Sequence, residues 1–345
     1  MKIAELSVKN VRAVPDLTRS LRDRSKKPFD VVLVTGPTGS GKTRLLEAIA
    51  LWKEAVGAYG IAPKLSDKER RPGEGGSLSG VWELTPEEVR RGQLDSGAVE
   101  AKVDVGTRAG GGDAAGGGGA PRGLSRVLSA FFREETHGKV EYFPAGRRLS
   151  RAPLPVPLEA LSEQVECGMR LGKEEGKYGI ERAWVRERLL ADLSAAGSTL
   201  SDRGVLLSGQ APDSLAGARA KVARLAPHLR LSGLIGSGPK ARVGFLRQGL
   251  SSGERSEVDI DDLSAGEEQA VLFALAFERL RLSRSVVLID TPELAVHPAD
   301  QARFFQALCN LGTDNQVIAA TCSPGILASV PPEQIIDLGS PERRA

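Results

Sequence analysis

Apolar and polar positions alternate over residues 2 to 9, where Ile3, Leu6 and Val8 read as an edge or half-buried strand. A charged stretch holding Lys26 and Lys27 follows, and then VVLVT at 31–35, an apolar run that predicts a buried strand. A Gly-rich turn leads into RLLEAIALWKEAV, whose apolar residues recur with helical period. Residues 124–135 pattern as a helix and VEYFPAGRR at 140–148 as a strand ending in a basic loop. From PLEALSEQV to about 230 the pattern is mostly helical with charged faces, and ARVGFLRQG at 241–249 reads as a strand. Thereafter DLSAGEEQAVLFALAFERL, VVLID, DQARFFQALCNL, QVIAAT and EQIIDLG alternate helix and strand, which predicts a mostly parallel α/β sheet. Two segments, GEGGSLSG at 73–80 and GTRAGGGDAAGGGGAPRG at 106–123, read as flexible low-complexity loops. No repeat of 20 to 50 residues and no sustained heptad is present, so the chain carries no long coiled-coil arm.

Composition narrows the picture only slightly. A chain of 345 residues with 41% hydrophobic content can bury one large core, with or without an inserted lobe. A formal charge of +3 gives no global nucleic-acid signature. Cys167, Cys309 and Cys322 are too scattered for a disulfide framework or a metal site, which suits a reducing, cytoplasmic compartment. The opening MKIAELSVKNVRAV lacks the apolar core of a signal peptide, and no run approaches the ~18 apolar residues of a membrane span.

Chemistry enters with GPTGSGKT, which fits G-x-x-x-x-G-K-[ST] between an apolar strand and a helix. In such a loop Gly36, Gly39 and Gly41 let backbone N–H groups turn inward on phosphates, together with Pro37, Thr38 and Ser40. Lys42 would pair with the β and γ oxygens of ATP, and Thr43 would hold Mg²⁺. Further on, DLSAGEEQ at 262–269 places Ser264 to cap a helix, with Glu267 three residues later as in a capping box. VVLID then ends an apolar strand in Asp290, a carboxylate suited to a hard cation beside phosphates.

Taken in that order, these segments resemble the Walker A, signature (LSGGQ, here in the variant LSxGE) and Walker B motifs of ABC-type ATPases. The opening ELSVKNVRAV, with its N-x-R turn, and the words RLLEAIA, YFPAGR and PELAVHP are similar to the RecF, SMC and OLD-like (overcoming-lysogenisation-defect) heads. The resemblance covers roughly 1–60 and 240–340, and roughly 220 residues separate Lys42 from Ser264, a span longer than transporter ATPases use. It implies an α/β P-loop NTPase of the ABC-head type, a mostly parallel sheet with an N-terminal β region and a mainly helical insertion. On that reading 1–60 and 240–345 form two halves of one head, 61–139 holds flexible Gly-rich loops and a lobe, and 140–239 is the insertion. It also implies ATP and Mg²⁺ as ligands, a homodimer or pair of related heads with ATP sandwiched between them, and Arg12, Ser264, Gly266 and Glu267 as nucleotide contacts.

The chain departs from that family at two hydrolytic positions. Thr291 stands where a water-polarising Glu follows the Asp, and Cys322 stands in TCSP where a switch His is usual. A hydroxyl is a poor general base at neutral pH, so slow or absent hydrolysis is the expectation. Glu293 could orient water but reads better as structural, His297 before Pro298 reads as a cap or dimer contact, and Cys322 reads as a small buried residue rather than a reactive thiol. Basic residues Arg147, Arg148 and Arg151, then Arg219, Lys221, Arg224, Arg230, Lys240, Arg242 and Arg247, offer either a solvated face or a track for DNA or RNA phosphates. With 4% aromatic residues, stacking on single strands is not supported. The functional classes left open are an ATP sensor serving a separate effector in genome maintenance or phage defence, an ATP-dependent scaffold gripping a partner protein, and an atypical transporter ATPase. OLD proteins carry a nuclease domain after the head; nothing similar precedes Ala345, so the effector is expected on another chain.

Overall fold

A computed structural model describes residues 1–106, 119–131, 137–149, 163–173, 175–195, 199–201, 204–206, 212–236, 241–249 and 255–339. Its elements run β1 (Lys2–Lys9), β2 (Leu17–Ser20), β3 (Val31–Thr35), α1 (Lys42–Val56), β4 (Gly76–Glu83), α2 (Pro86–Gly92), β5 (Ala98–Val105), α3 (Arg122–Ser129) and β6 (Val140–Phe143). There follow α4 (Glu163–Met169), α5 (Gly179–Ala195), β7 (Thr199–Ser201), β8 (Gly204–Leu206), α6 (Ala216–Leu225), β9 (Leu229–Ile235), β10 (Arg242–Gln248) and β11 (Arg255–Asp259). The chain closes with α7 (Ala265–Arg279), β12 (Val286–Asp290), α8 (Gln301–Cys309), β13 (Gln316–Ala320), α9 (Pro324–Leu327) and β14 (Ile335–Asp337).

The central sheet is parallel, in the order β14-β3-β13-β12-β6. Its inner strands β3, β13 and β12 read as near-continuous apolar runs because both faces are covered. On β12, Val286 and Leu288 join a core with Leu45, Ile49 and Trp52 of α1, while Val287 and Ile289 join another with Phe273 and Phe277 of α7 and Phe305 of α8. Above α1 lies the antiparallel sheet β2-β1-β4-β5. Trp52 stacks on Trp82 of β4 at 5.0 Å between ring centroids, fastening that sheet to the helix. Buried Gln316 at the start of β13 ties the two sheets together: its amide accepts from Ile3 N (2.6 Å) and donates to the carbonyls of Ile3 (2.8 Å) and Phe29 (3.0 Å).

Two expectations need correction. GEGGSLSG is not a loop throughout, since β4 begins at Gly76 and pairs with both β1 and β5. The two glycines within the strand, Gly76 and Gly80, answer to crowding: a Cβ at Gly80 would lie 2.1 Å from the Glu5 carbonyl oxygen, beside a register shift between Ile3 and Glu5. The domain division also shifts. Residues 61–139 supply β4, β5, α2 and α3, and the expected insertion at 140–239 opens with β6, an edge strand of the central sheet paired to β12. The rest of it includes α4, α5 and α6 as anticipated, but β9 pairs with β10. Residues 107–118 of the second Gly-rich segment, with Arg151 and Lys240, lie outside the described residues.

A buried ion network joins β6, the α4–α5 segment and α7. Lys177 Nζ meets Glu141 at 2.8 Å, Arg170 meets Glu181 at 3.3 Å, and Arg279 reaches Glu181 at 2.8 Å and Glu166 at 2.5 Å. Burial alone would raise the Glu181 carboxyl, but Arg279 and Arg170 hold it below the usual range. Among the described residues no helix is long and apolar enough to cross a membrane.

Candidate nucleotide site

The loop after β3 is shaped by glycine backbone. Gly36, Gly39 and Gly41 take φ of 138°, 81° and 96°, a region that other side chains rarely enter. Gly41 precedes α1 with no side-chain cap, and no acidic residue stands in the first helical turn. The unpaired N–H groups and positive end of the dipole are therefore left for an anion. Gly41 is also closely packed, for a Cβ there would sit 2.7 Å from the Ala13 carbonyl oxygen. This contact sets the N-x-R turn of residues 10–12 beside the loop. Lys42 Nζ donates to the carbonyls of Gly36 (2.9 Å) and Pro37 (3.0 Å), which holds the ammonium over the loop, and Ser40 Oγ is buried without a partner among the described residues.

Opposite the loop, β12 delivers Asp290, which is 4% exposed. Burial pushes its carboxyl up, against hydrogen bonds from Thr43 and Thr291 and the charges of Lys173 and Arg147. Thr43 and Asp290, expected as a metal pair, thus meet. Thr291 is in the left-handed region at φ 53°, a costly place for a β-branched residue, and its N–H donates to the Ala320 carbonyl at 2.8 Å. Glu293 Oε1 accepts from Cys322 N at 2.9 Å, so this carboxylate fastens the turn after β12 to the TCSP segment. His297 Nδ1 accepts from Ala299 N at 3.3 Å, a capping role. Cys322 is exposed, contrary to the buried reading, because its neighbours Thr321 and Ser323 take the inward positions and Ser323 caps α9.

The signature segment starts α7 with the anticipated capping box. Ser264 Oγ accepts from Glu267 N (3.3 Å), and Glu267 Oε2 accepts from Ser264 N (2.8 Å). Arg247 forks onto Glu267 at 2.8 and 2.6 Å, and His228 Nε2 lies 3.1 Å from Oε1. Burial would raise this carboxyl, but hydrogen bonds from Arg247 and Ser264 bring it down to about 2. Both Glu267 oxygens are therefore engaged within the chain, Oε2 by the Ser264 amide and Arg247 and Oε1 by Arg247 and His228. Gly266 is needed for space, since a Cβ there would come within 2.8 Å of the Ala295 carbonyl oxygen.

Comparison with known proteins bears on the fold that carries these residues. Residues 209–328, under half of the chain, match a family model described as "AAA domain, putative AbiEii toxin, Type IV TA system". The chain is similar to a crystal structure of an SMC head bound to the C-terminal winged-helix domain of ScpA, at TM-score 0.54 and 14% identity, over 98% of this chain and 94% of that one. The chain has the fold of an ABC-type P-loop ATPase head. Weaker likenesses are an SMC head with an extended coiled coil, bound to the C-terminal domain of ScpA from Pyrococcus furiosus (TM-score 0.49, 13% identity, 97% and 93% covered), and the SMC head of Thermotoga maritima (0.47, 13%, 96% and 92%). No curated protein matches the chain by sequence.

Within this head the basic residues are distributed differently from the expected track. Arg147 is 2% exposed, so it contacts no nucleic acid; its guanidinium donates to the carbonyls of Asp290 (2.6 Å) and Thr291 (2.9 Å). Arg148 is exposed, and Arg242 is exposed but paired with Asp259 at 2.7 Å. Arg219 meets Asp213, Lys221 meets Glu278 and Arg247 meets Glu267, which favours the solvated-face reading for that stretch. Arg12 lies beside the loop as expected but is paired with Glu47 of α1 at 3.1 Å. Arg44 (2.6 Å) and Lys173 converge on the same carboxylate. The sequence gives no sign of the Arg147 brace, because an arginine pair in a loop has the same pattern whether it is buried or solvated.

Proposed function

We propose that the chain is an ATP-binding head that pairs with a second head on ATP and thereby switches a partner effector or a nucleic-acid-associated complex, hydrolysing slowly. One observation carries this reading: an uncapped helix N-terminus and Lys42 face Thr43 and Asp290, while Thr291 and Cys322 stand where the resemblance places a water-polarising Glu and a switch His. The donors present fit a magnesium nucleotide. The amides of the loop and Lys42 would hold the phosphates, and Thr43 with Asp290 would hold Mg²⁺, which neutralises phosphate charge when bound. Ser264 and Gly266, at the start of the 15-residue helix α7, suit the terminal phosphate of an opposing site through the helix dipole. ADP lacks that phosphate, so ADP would not hold the pair.

The matched family's description as a putative toxin of type IV systems, and the ScpA domain bound to the similar SMC head, support a separate partner protein and a place in cellular defence. Contact with DNA or RNA phosphates would fall to residues such as Arg148 and Arg242, since Arg147 is enclosed. Light scattering tests the pairing. The expected result is a doubling of mass with Mg-ATP or a nonhydrolysable analogue and a monomer with ADP; a monomer in every case at high protein concentration would overturn it.

A further inference from the structure

Residues 144–149, which leave β6, form a strap between the end of β12 and the signature helix α7. On one side Arg147 donates to the carbonyls of Pro144 (3.1 Å), Asp290 (2.6 Å) and Thr291 (2.9 Å). On the other, its guanidinium carbon lies 4.8 Å from the centroid of Phe273 on α7, and its own carbonyl accepts from Gln269 Nε2 at 3.3 Å. Leu149 N donates to Glu268 Oε1, also on α7, at 2.7 Å.

Such a residue is costly to keep. Arg147 is 2% exposed, and among the described residues no carboxylate lies within ion-pair distance. A buried guanidinium held by carbonyls and an aromatic face, with no carboxylate paired to it, regains little of the hydration it loses. What it holds is the peptide after the Walker B carboxylate, at the point where Thr291 sits in the left-handed region. The turn that follows, residues 291–296, is closed on its far side by Gly266, whose missing Cβ admits the Ala295 carbonyl. The end of β12 is thus gripped between Arg147 and the start of α7. Close-packed elements of this kind pass a displacement on rather than absorb it.

We propose that Arg147 is a positioning residue that couples the metal–nucleotide end of β12 to the signature helix, so that filling the chain's own phosphate loop sets how Ser264 and Gly266 are presented to an opposing site. The coupling rests on the ATP-head reading above. A lysine cannot replace the arginine, because a single ammonium lacks the planar fork that spans the Asp290 and Thr291 carbonyls while lying on Phe273.

Hydrogen exchange with Mg-ADP tests the coupling, because ADP fills the loop without the phosphate that would clamp a second head. In the wild type, exchange is expected to slow both in the loop peptide 36–45 and in the α7 peptide 264–274. In Arg147→Lys the loop response stays within about 2-fold of wild type, while the α7 response falls by about 5-fold or more, the scale of ordinary coupling between sites. Glu268→Ala, which removes the Leu149 hydrogen bond between strap and α7 but leaves the arginine in place, is expected to lower the α7 response in the same direction and covers the case in which Arg147→Lys loses its fold. An α7 response that is absent in the wild type, or transmitted unchanged in folded variants that merely melt earlier, overturns the coupling. A wild type in which the loop itself responds to neither ADP nor ATP overturns the ATP reading instead, and the coupling with it.

Discussion

Lys42→Ala is expected to lower the affinity for Mg-ATP roughly 100-fold while leaving the melting temperature almost unchanged. Charge-assisted hydrogen bonds contribute up to about 3 kcal/mol, and each 1.4 kcal/mol is a factor of ten in affinity. Among the described residues the Lys42 ammonium donates to the carbonyls of Gly36 and Pro37 and to no carboxylate, so removing it leaves no buried charge and opens no core. Titration calorimetry with a nonhydrolysable analogue reads the affinity, and a thermal melt reads the fold. An alanine variant that bound like wild type would mean that the loop does not hold the nucleotide.

Arg170→Met is expected to destabilise the chain by about 3–5 kcal/mol, the cost of breaking a buried pair and stranding the charges left behind. Arg170 lies 3.3 Å from Glu181 and 3.8 Å from Glu141, all three with 0% side-chain exposure. Its Nη2 also donates to the Lys177 carbonyl at 3.1 Å. Methionine fills the volume but leaves Glu181 to Arg279 and Glu141 to Lys177, both carboxylates still out of water. Arg182→Met provides the contrast. Its pair with Asp261 is about a quarter exposed on each side, and such pairs contribute about 1 kcal/mol or less. Urea denaturation followed by circular dichroism should separate the two; equal midpoints would show that the network does not bear on stability.

The parts of the head that were legible in the sequence are those whose chemistry is local. VVLVT, the glycine loop and the helix after it are fixed by a buried run, positive-φ glycines and helical period, all within a short stretch of chain. The Ser264–Glu267 capping box is likewise settled by residues three apart. What escaped depends on distant neighbours. β4 carries glycines because the Glu5 backbone passes close by, so a segment that looks flexible is a strand in the middle of a sheet. β6 is legible as a strand, but its place at the edge of the central sheet follows from pairing with the distant β12. Arg147 and Arg148 are adjacent and alike in sequence, yet one is enclosed under Phe273 and the other is exposed. The exposure of Cys322 is hidden for the same reason, since a lone cysteine gives no sign of which way its loop faces.

On the proposed function this head holds ATP without turning it over at an ordinary rate. Glu293, the glutamate nearest in sequence to Thr291, spends its Oε1 on Cys322 N, and Thr291, where the resemblance places a water-polarising Glu, offers only a hydroxyl. Steady-state phosphate release by the purified wild type in saturating Mg-ATP measures this directly. The expected rate lies far below the ~1 s⁻¹ at which ordinary enzymes begin. Release at or above that rate, abolished by Lys42→Ala, would contradict it.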